Sequence, residues 1–294
     1  MDIRVLRYFL TVAKEQSINK AAQTLHMTQP PLSRQMQELE EELGKKLFIR
    51  GNRKILLTEE GMLLRKRAEE IVELFEKTEA EVRAASDTVS GEIYIGAAET
   101  KSFGLVAKSA KRLREQFPDV RYHLCSGNSE DTTERLDRGL LDFAVLSLPA
   151  DIEKYKSLVL PAKDHWGVLL RRDHPLASKK GIAPQDLRDI PVILSRQAIG
   201  HKAITSWMQD ANFSLQVVST YNLLYNASIM AEADIGCVLC LQGIIPEYSE
   251  SSLCFVPLEP PVEAGLALVW KKEQPLSKAA LKLLEIINNK IAAE

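Results

Sequence analysis

Between Ser17 and Glu42 the chain reads SINKAAQTLHMTQPPLSRQMQELEEE, and this stretch restricts the fold more than any other. Ile18, Ala21, Ala22 and Leu25 recur at the i, i+3, i+4, i+7 spacing of one helical face, and Leu32, Met36, Leu39 and Leu43 form a second. Ser17 precedes the first run and Thr28 the second, where a hydroxyl can accept from a free first-turn amide. Pro30 and Pro31 fall in the first turn of the second helix, where no intrahelical amide is lost. Ala21 and Ala22 are small, so the two helices can cross closely and steeply. The remaining face of the second helix carries Gln29, Ser33, Arg34 and Gln37, donors and acceptors of the kind that meet base edges and phosphates in a major groove. An ordinary helical hairpin with a solvated polar face fits the same pattern, so the flanking residues have to decide.

On one side, Leu6, Phe9, Leu10 and Ala13 form a third apolar face that closes a three-helix core. On the other, Leu47 to Ile49 and Ile55 to Leu57 read as two short strands around the hairpin signal Gly51-Asn52. Arg50, Arg53 and Lys54 cluster at the tip of this wing, placed to lie along phosphates. The net charge of -2 conceals an asymmetry. In residues 1–58, ten Lys and Arg stand against six Asp and Glu.

The run LRYFLTVAKEQSINKAAQTLHMTQPPLSRQMQELEEELGKKLFIRGNRKILLTEEG resembles the N-terminal domain of LysR-type transcriptional regulators. TQPPLSRQ and ELGKKLFIR are its most specific segments, and the likeness continues through RRDHPLA in the C-terminal half. The resemblance implies an α/β chain with an N-terminal winged helix-turn-helix, a long dimerising linker helix and a C-terminal effector domain. That domain resembles the two-subdomain periplasmic binding proteins. It also implies double-stranded operator DNA and a small-molecule effector as partners, RNA polymerase as a further one, and a bacterial cytoplasm. The DNA-binding set that follows is Ser17, Thr28, Gln29, Pro30, Ser33, Arg34, Gln37, Arg50, Arg53 and Lys54.

After Thr58, a candidate N-cap, the residues Gly61, Leu64, Ala68, Ile71, Phe75, Thr78 and Val82 alternate in steps of three and four. This a/d seam on a helix from 59 to 86 is too narrow to stabilise the helix alone. Pairing with a second copy would bury Leu64, Ala68, Ile71, Phe75, Thr78 and Val82, whereas a helix packed on its own domain would bury them locally. In the family this is the dimerising helix, so two recognition helices and an imperfectly palindromic site are expected, in a dimer or a tetramer. Small and polar residues from Ala84 to Gly91 read as a hinge. The expected division is 1–58 for the winged head, 59–88 for the linker and 89–294 for the effector domain. Its two subdomains take 89–162 with 265–294, and 163–264.

Strands are expected at Ile93–Ile95, Val120–Leu124, Phe143–Leu148, Trp166–Leu170, Val192–Leu194, Leu215–Ser219, Gly236–Leu239 and Leu266–Trp270. Helices are expected at Phe103–Phe117, Ser129–Arg138, Ile199–Ala211, Leu223–Ala233, Leu241–Tyr248 and Ser277–Ile291. The alternation implies parallel strands covered by helices, with a crevice at their carboxyl ends. Thr100, Ser102, Asn128, Ser129, Ser195, Gly200, His201, Thr220 and Tyr221 lie at those ends, where free amides and hydroxyls suit a small carboxylate or another anion. The same residue types are also ordinary caps. Positions 100 and 129 match the family's effector-contacting positions best.

Enzyme readings find little support. Cys237-x-x-Cys240 lies in an apolar strand, where residues three apart face opposite ways, and no second pair completes a metal site. There is no phosphate-cradling Gly loop and no nucleophile elbow, so neither cofactor nor metal is expected. Four cysteines without framework spacing fit a reducing compartment, and no run reaches the length of a membrane span. The rival from another class is a small-molecule binding protein whose helical N-terminus only mediates assembly.

Overall fold

The computed structural model describes residues 1–51, 54–83, 88–196, 198–199, 202–209, 211, 213–246 and 251–293, and at residue 50 the backbone alone. The chain divides into two compact units, Met1–Ala85 and Ser86–Glu294.

In the first unit, α1 (Ile3–Glu15) starts where the Asp2 side chain accepts from the Val5 amide, and it buries Leu6, Phe9 and Val12. α2 (Ile18–Thr24) starts at Ser17, whose hydroxyl accepts from the Lys20 amide at 3.4 Å. The turn into α3 (Gln29–Leu43) passes through His26 at φ 52, a left-handed conformation that histidine tolerates better than most residues. Ala21, Ala22, Leu32, Met36 and Leu39 join Phe9 in one core. Leu43 does not join them. It is 40% exposed, because the last turn of α3 runs past the core before Gly44, at φ 64, ends the helix. Thr28 holds the N-cap position, but its side chain makes no capping bond.

β1 (Phe48–Arg50) and β2 (Ile55–Leu57) pair antiparallel, with Phe48 opposite Leu57. Glu40, on the buried side of α3, ties this wing down. Its carboxylate accepts from the Leu47 amide at 2.8 Å, the Phe48 amide at 3.2 Å and Lys46 Nζ at 2.7 Å. Burial pushes this carboxyl up, but the Lys46 bond and the two amides outweigh burial and hold it below the usual glutamate range. A group depressed in the folded state contributes stability above its ordinary value of 4.5, and that contribution is lost as pH falls through the folded value. Glu40→Gln is therefore expected to destabilise the head by about 1–3 kcal/mol at neutral pH, with the deficit shrinking under acid. Urea melts at pH 7 and pH 3 check this, and a deficit that does not change with pH would contradict it.

α4 (Glu59–Arg83) is 25 residues long, which is about 38 Å at 1.5 Å per residue. Thr58 caps it, accepting from the Gly61 amide at 2.9 Å while donating to the Lys46 carbonyl at 2.7 Å. A Cβ on Gly61 would lie 2.2 Å from the Leu47 carbonyl oxygen, so only glycine allows the helix to start this close to the wing. The apolar seam then splits. Leu64 and Ala68, placed by their spacing in a dimer seam, pack instead into the head's own core together with Val72. Ile71, Phe75 and Val82 stay 45%, 39% and 70% exposed, and Thr78 is exposed as well. Of the hinge, residues 84–87 lie outside the described residues.

The second unit runs β3 (Gly91–Ala97), α5 (Gly104–Gln116), β4 (Val120–Ser126), α6 (Ser129–Asp137), β5 (Phe143–Ser147) and β6 (Tyr155–Arg171). It continues with β7 (Pro191–Ser195), α7 (Lys202–Trp207), β8 (Gln216–Tyr221), α8 (Leu224–Glu232), β9 (Cys237–Leu241), β10 (Leu253–Pro257), β11 (Glu263–Lys271) and α9 (Lys278–Ile291). β3 lies parallel between β4 and β5, and β7 lies parallel between β8 and β9. The 17-residue β6 links these halves: Tyr155 to His165 pairs antiparallel with β11, while Trp166 to Arg171 pairs with β9 and β10. A bulge between Gly265 and Leu266 falls where β11 pairs with the middle of β6.

Several expectations need correction. Residues 155–165 and 253–257 are strands that the local pattern did not signal, because their burial depends on partners far away in sequence. The helix expected at 241–248 is absent from its described part, since Leu241 ends β9 and a turn follows. The helix expected at 199–211 is only Lys202–Trp207. Cys237 and Cys240 enter two different core clusters, as strand alternation requires.

Candidate nucleic-acid interface and ligand cleft

α3 turns one side inward through Leu32, Met36 and Leu39. The opposite side exposes Gln29, Arg34 and Gln37 to solvent, with Ser33 half-buried. Thr28 and Pro30 are exposed at the start of the helix, Ser17 is half-buried at the start of α2, and Lys54 is exposed beside the wing turn. Arg53 and the Arg50 side chain lie outside the described residues. Arg34 is preset by an i,i+4 pair, its Nε 2.8 Å from Glu38 Oε1, yet its side chain remains 79% exposed. Pro30 and Pro31 bring no N–H to the first turn of α3, so the exposed Thr28 hydroxyl has no amide to cap and is left for a phosphate oxygen.

In the second unit a cleft of about 750 Å³ opens between the two halves of the sheet. Thr100, Asn128, Ser129, Ser195 and Tyr221 line it, with Trp166, Leu241 and Ile244 supplying apolar wall. Their polar groups are partly committed. Thr100 donates to the buried carboxylate of Asp164 and accepts from the Ser102 amide at 3.0 Å. Asn128 caps α6 through the Asp131 amide at 2.7 Å. The Tyr221 hydroxyl donates to the Leu239 carbonyl at 2.9 Å, and burial pushes its pKa well above the ordinary value.

Two expected lining residues stand elsewhere. Thr220 is exposed on the sheet-edge strand β8, since alternation turns it away from its neighbour Tyr221. Ser102 faces a second cavity and donates to Asp164 at 2.7 Å. Gly200 and His201 lie outside the described residues. Asp164 and Arg196 line the cleft without having been anticipated. Asp164 sits in the unforeseen part of β6 between Lys163 and His165, where nothing in the local sequence marks it as a buried wall residue. Glu99 spans the cleft, its carboxylate accepting from the Leu224 amide at the start of α8 at 2.6 Å.

Residues 3–62 match the model of the bacterial regulatory helix-turn-helix proteins of the lysR family, and residues 86–292 match that of the LysR substrate binding domain. The chain belongs to the LysR family. It is a DNA-binding transcriptional regulator with a substrate-binding effector domain, and its relatives are regulators rather than enzymes. It is 30% identical to the HTH-type transcriptional regulator BsdA of Bacillus subtilis (strain 168), over 97% of this chain and 100% of that one. It is 28% identical to the hydrogen peroxide-inducible genes activator of Pectobacterium carotovorum subsp. carotovorum, over 94% and 92%. The full-length LysR-family regulator CbnR complexed with its target DNA superposes with a TM-score of 0.75 at 19% identity, covering 98% of this chain and 99% of that one. At that identity the likeness speaks for the fold alone. Among the described residues no helix of this LysR-type regulator is long and apolar enough to cross a membrane, and no side-chain cluster could hold a metal ion.

Proposed function

We infer that this regulator grips its operator as a homodimer or homotetramer in the bacterial cytoplasm. The expected division of the chain serves this reading: head 1–58, linker 59–88, and an effector domain whose halves are 89–162 with 265–294 and 163–264. Gln29, Ser33, Arg34 and Gln37 read base edges, while Ser17, Thr28, Pro30, Arg50, Arg53 and Lys54 lie against the sugar-phosphate backbone. Ile71, Phe75, Thr78 and Val82 meet their counterparts in a second chain. The observation carrying the reading is the polar, outward face of α3, backed by an apolar face that anchors it in the head. A small molecule in the cleft, against Thr100, Asn128, Ser129, Ser195 and Tyr221, shifts the population between arrangements that space the heads differently. RNA polymerase receives the outcome at the promoter.

One relative is named for hydrogen peroxide, but Cys237 does not offer a reactive thiolate here, even with His174 Nε2 3.9 Å from its sulfur. Burial, helped by Asp234, pushes this thiol up to about 11, so it stays protonated at neutral pH. The reading is tested by mapping the genomic fragments that the purified protein retains, then measuring their affinity from about 50 to 200 mM salt. Contacts to 6–10 phosphates lower affinity about 10³–10⁵-fold over that range. A flat salt dependence would sink the proposal.

A further inference from the structure

Behind the wall of the cleft lies a second cavity of about 400 Å³. Four lysines line it: Lys101 in the short helical turn before α5, Lys108 in α5, Lys163 in the middle of β6 and Lys290 near the end of α9. Lys163 is paired with Glu263 at 2.5 Å. Lys101, Lys108 and Lys290 have no carboxylate partner among the described residues. The acid facing this cavity, Asp164, is buried, and its two oxygens already accept from the Thr100 and Ser102 hydroxyls. With Lys163 paired to Glu263, three lysines face the single Asp164 carboxylate, and the excess positive charge repels itself until an anion enters.

Gly104 points the same way. It opens α5 in an ordinary helical conformation, φ -53, so the backbone does not require glycine there. An added Cβ would meet no atom within 4 Å, so packing does not require it either. Glycine in a helix is costly relative to alanine. What its bare Cα does is leave the first turn of α5 open to the lysine cavity.

We propose that this cavity binds a small molecule bearing a phosphate group, as a second ligand beside the one in the cleft. Asp164 borders both spaces, holding Thr100 on the cleft side and Ser102 on the cavity side. An anion beside Asp164 therefore acts on Thr100, and coupling of this kind runs both ways. Only this coupling rests on the cleft reading; the anion site itself does not.

The test is calorimetric titration of the full-length protein with pyrophosphate, against chloride at matched ionic strength. The DNA-binding head also attracts phosphate, so Arg53→Gln/Lys54→Gln serves as a control. The expected result is saturable pyrophosphate binding, retained in Arg53→Gln/Lys54→Gln and weakened at least tenfold in Lys108→Gln/Lys290→Gln. Gly104→Ala should raise the ligand-free melting temperature and still weaken pyrophosphate binding, which a purely structural glycine would not do. Binding that disappears in Arg53→Gln/Lys54→Gln but survives in the lysine variant overturns the proposal, as does a response no stronger than to chloride. Either failure leaves salt-dependent operator binding intact, so it is distinguishable from failure of the regulator reading.

Discussion

Phe75→Glu is expected to turn the regulator into a monomer and to lower operator affinity about 10²–10⁴-fold, the range by which joining two binding heads raises avidity. The reason lies in how α4 divides its apolar residues. Leu64, Ala68 and Val72 belong to the core of the head, whereas Ile71, Phe75 and Val82 remain exposed further along the helix. A helix of this length with a solvated apolar stripe gains its stability from a partner. Phe75 also lies under the Arg7 guanidinium, 5.9 Å from its ring centroid, so the substitution disturbs one local contact. Val82→Glu avoids that contact and should give the same outcome in weaker form. Sedimentation velocity and fluorescence anisotropy on operator DNA check both variants. If dimers persist and affinity is unchanged, α4 does not form the interface.

Arg34→Ala is expected to cost about 1–3 kcal/mol of operator binding and to relax preference at one base position, as for an arginine bidentate to guanine. Its guanidinium stands 79% exposed on the polar side of α3 and is oriented by Glu38. Dimerisation and thermal stability should not change, because an exposed i,i+4 ion pair contributes little to either. Arg34→Lys should recover part of the affinity but not the base preference, since an ammonium cannot reproduce the two-pronged geometry. Competition between the operator and single-base variants measures this. Unaltered affinity in the alanine variant would remove α3 from the groove.

Much of the head was legible because its signals are local. Ser17, the paired alanines and the three-four spacing of apolar residues depend on neighbours within a turn or two, and α1, α2 and α3 follow them. The cysteine pair was legible for the same reason, since alternation along one strand separates Cys237 from Cys240. Leu43 was misplaced because periodicity does not say where a core stops. The first half of β6 went unread because its alternation is broken by Pro161 and Asp164.

By itself, then, the order of residues determined the kind of chain this is: three helices and a wing, a long amphipathic connector, and alternating strands and helices beyond it. Periodicity and capping are properties of short windows, and they survive without any knowledge of the rest. Only the tertiary structure decided which half of the α4 seam serves the head and which half is left for a partner. It alone brought Asp164 against Thr100 and Ser102, more than sixty positions away, and gathered lysines from α5, β6 and α9 around one cavity. Burial and charge at such places are set by residues distant along the chain, and no local pattern carries them.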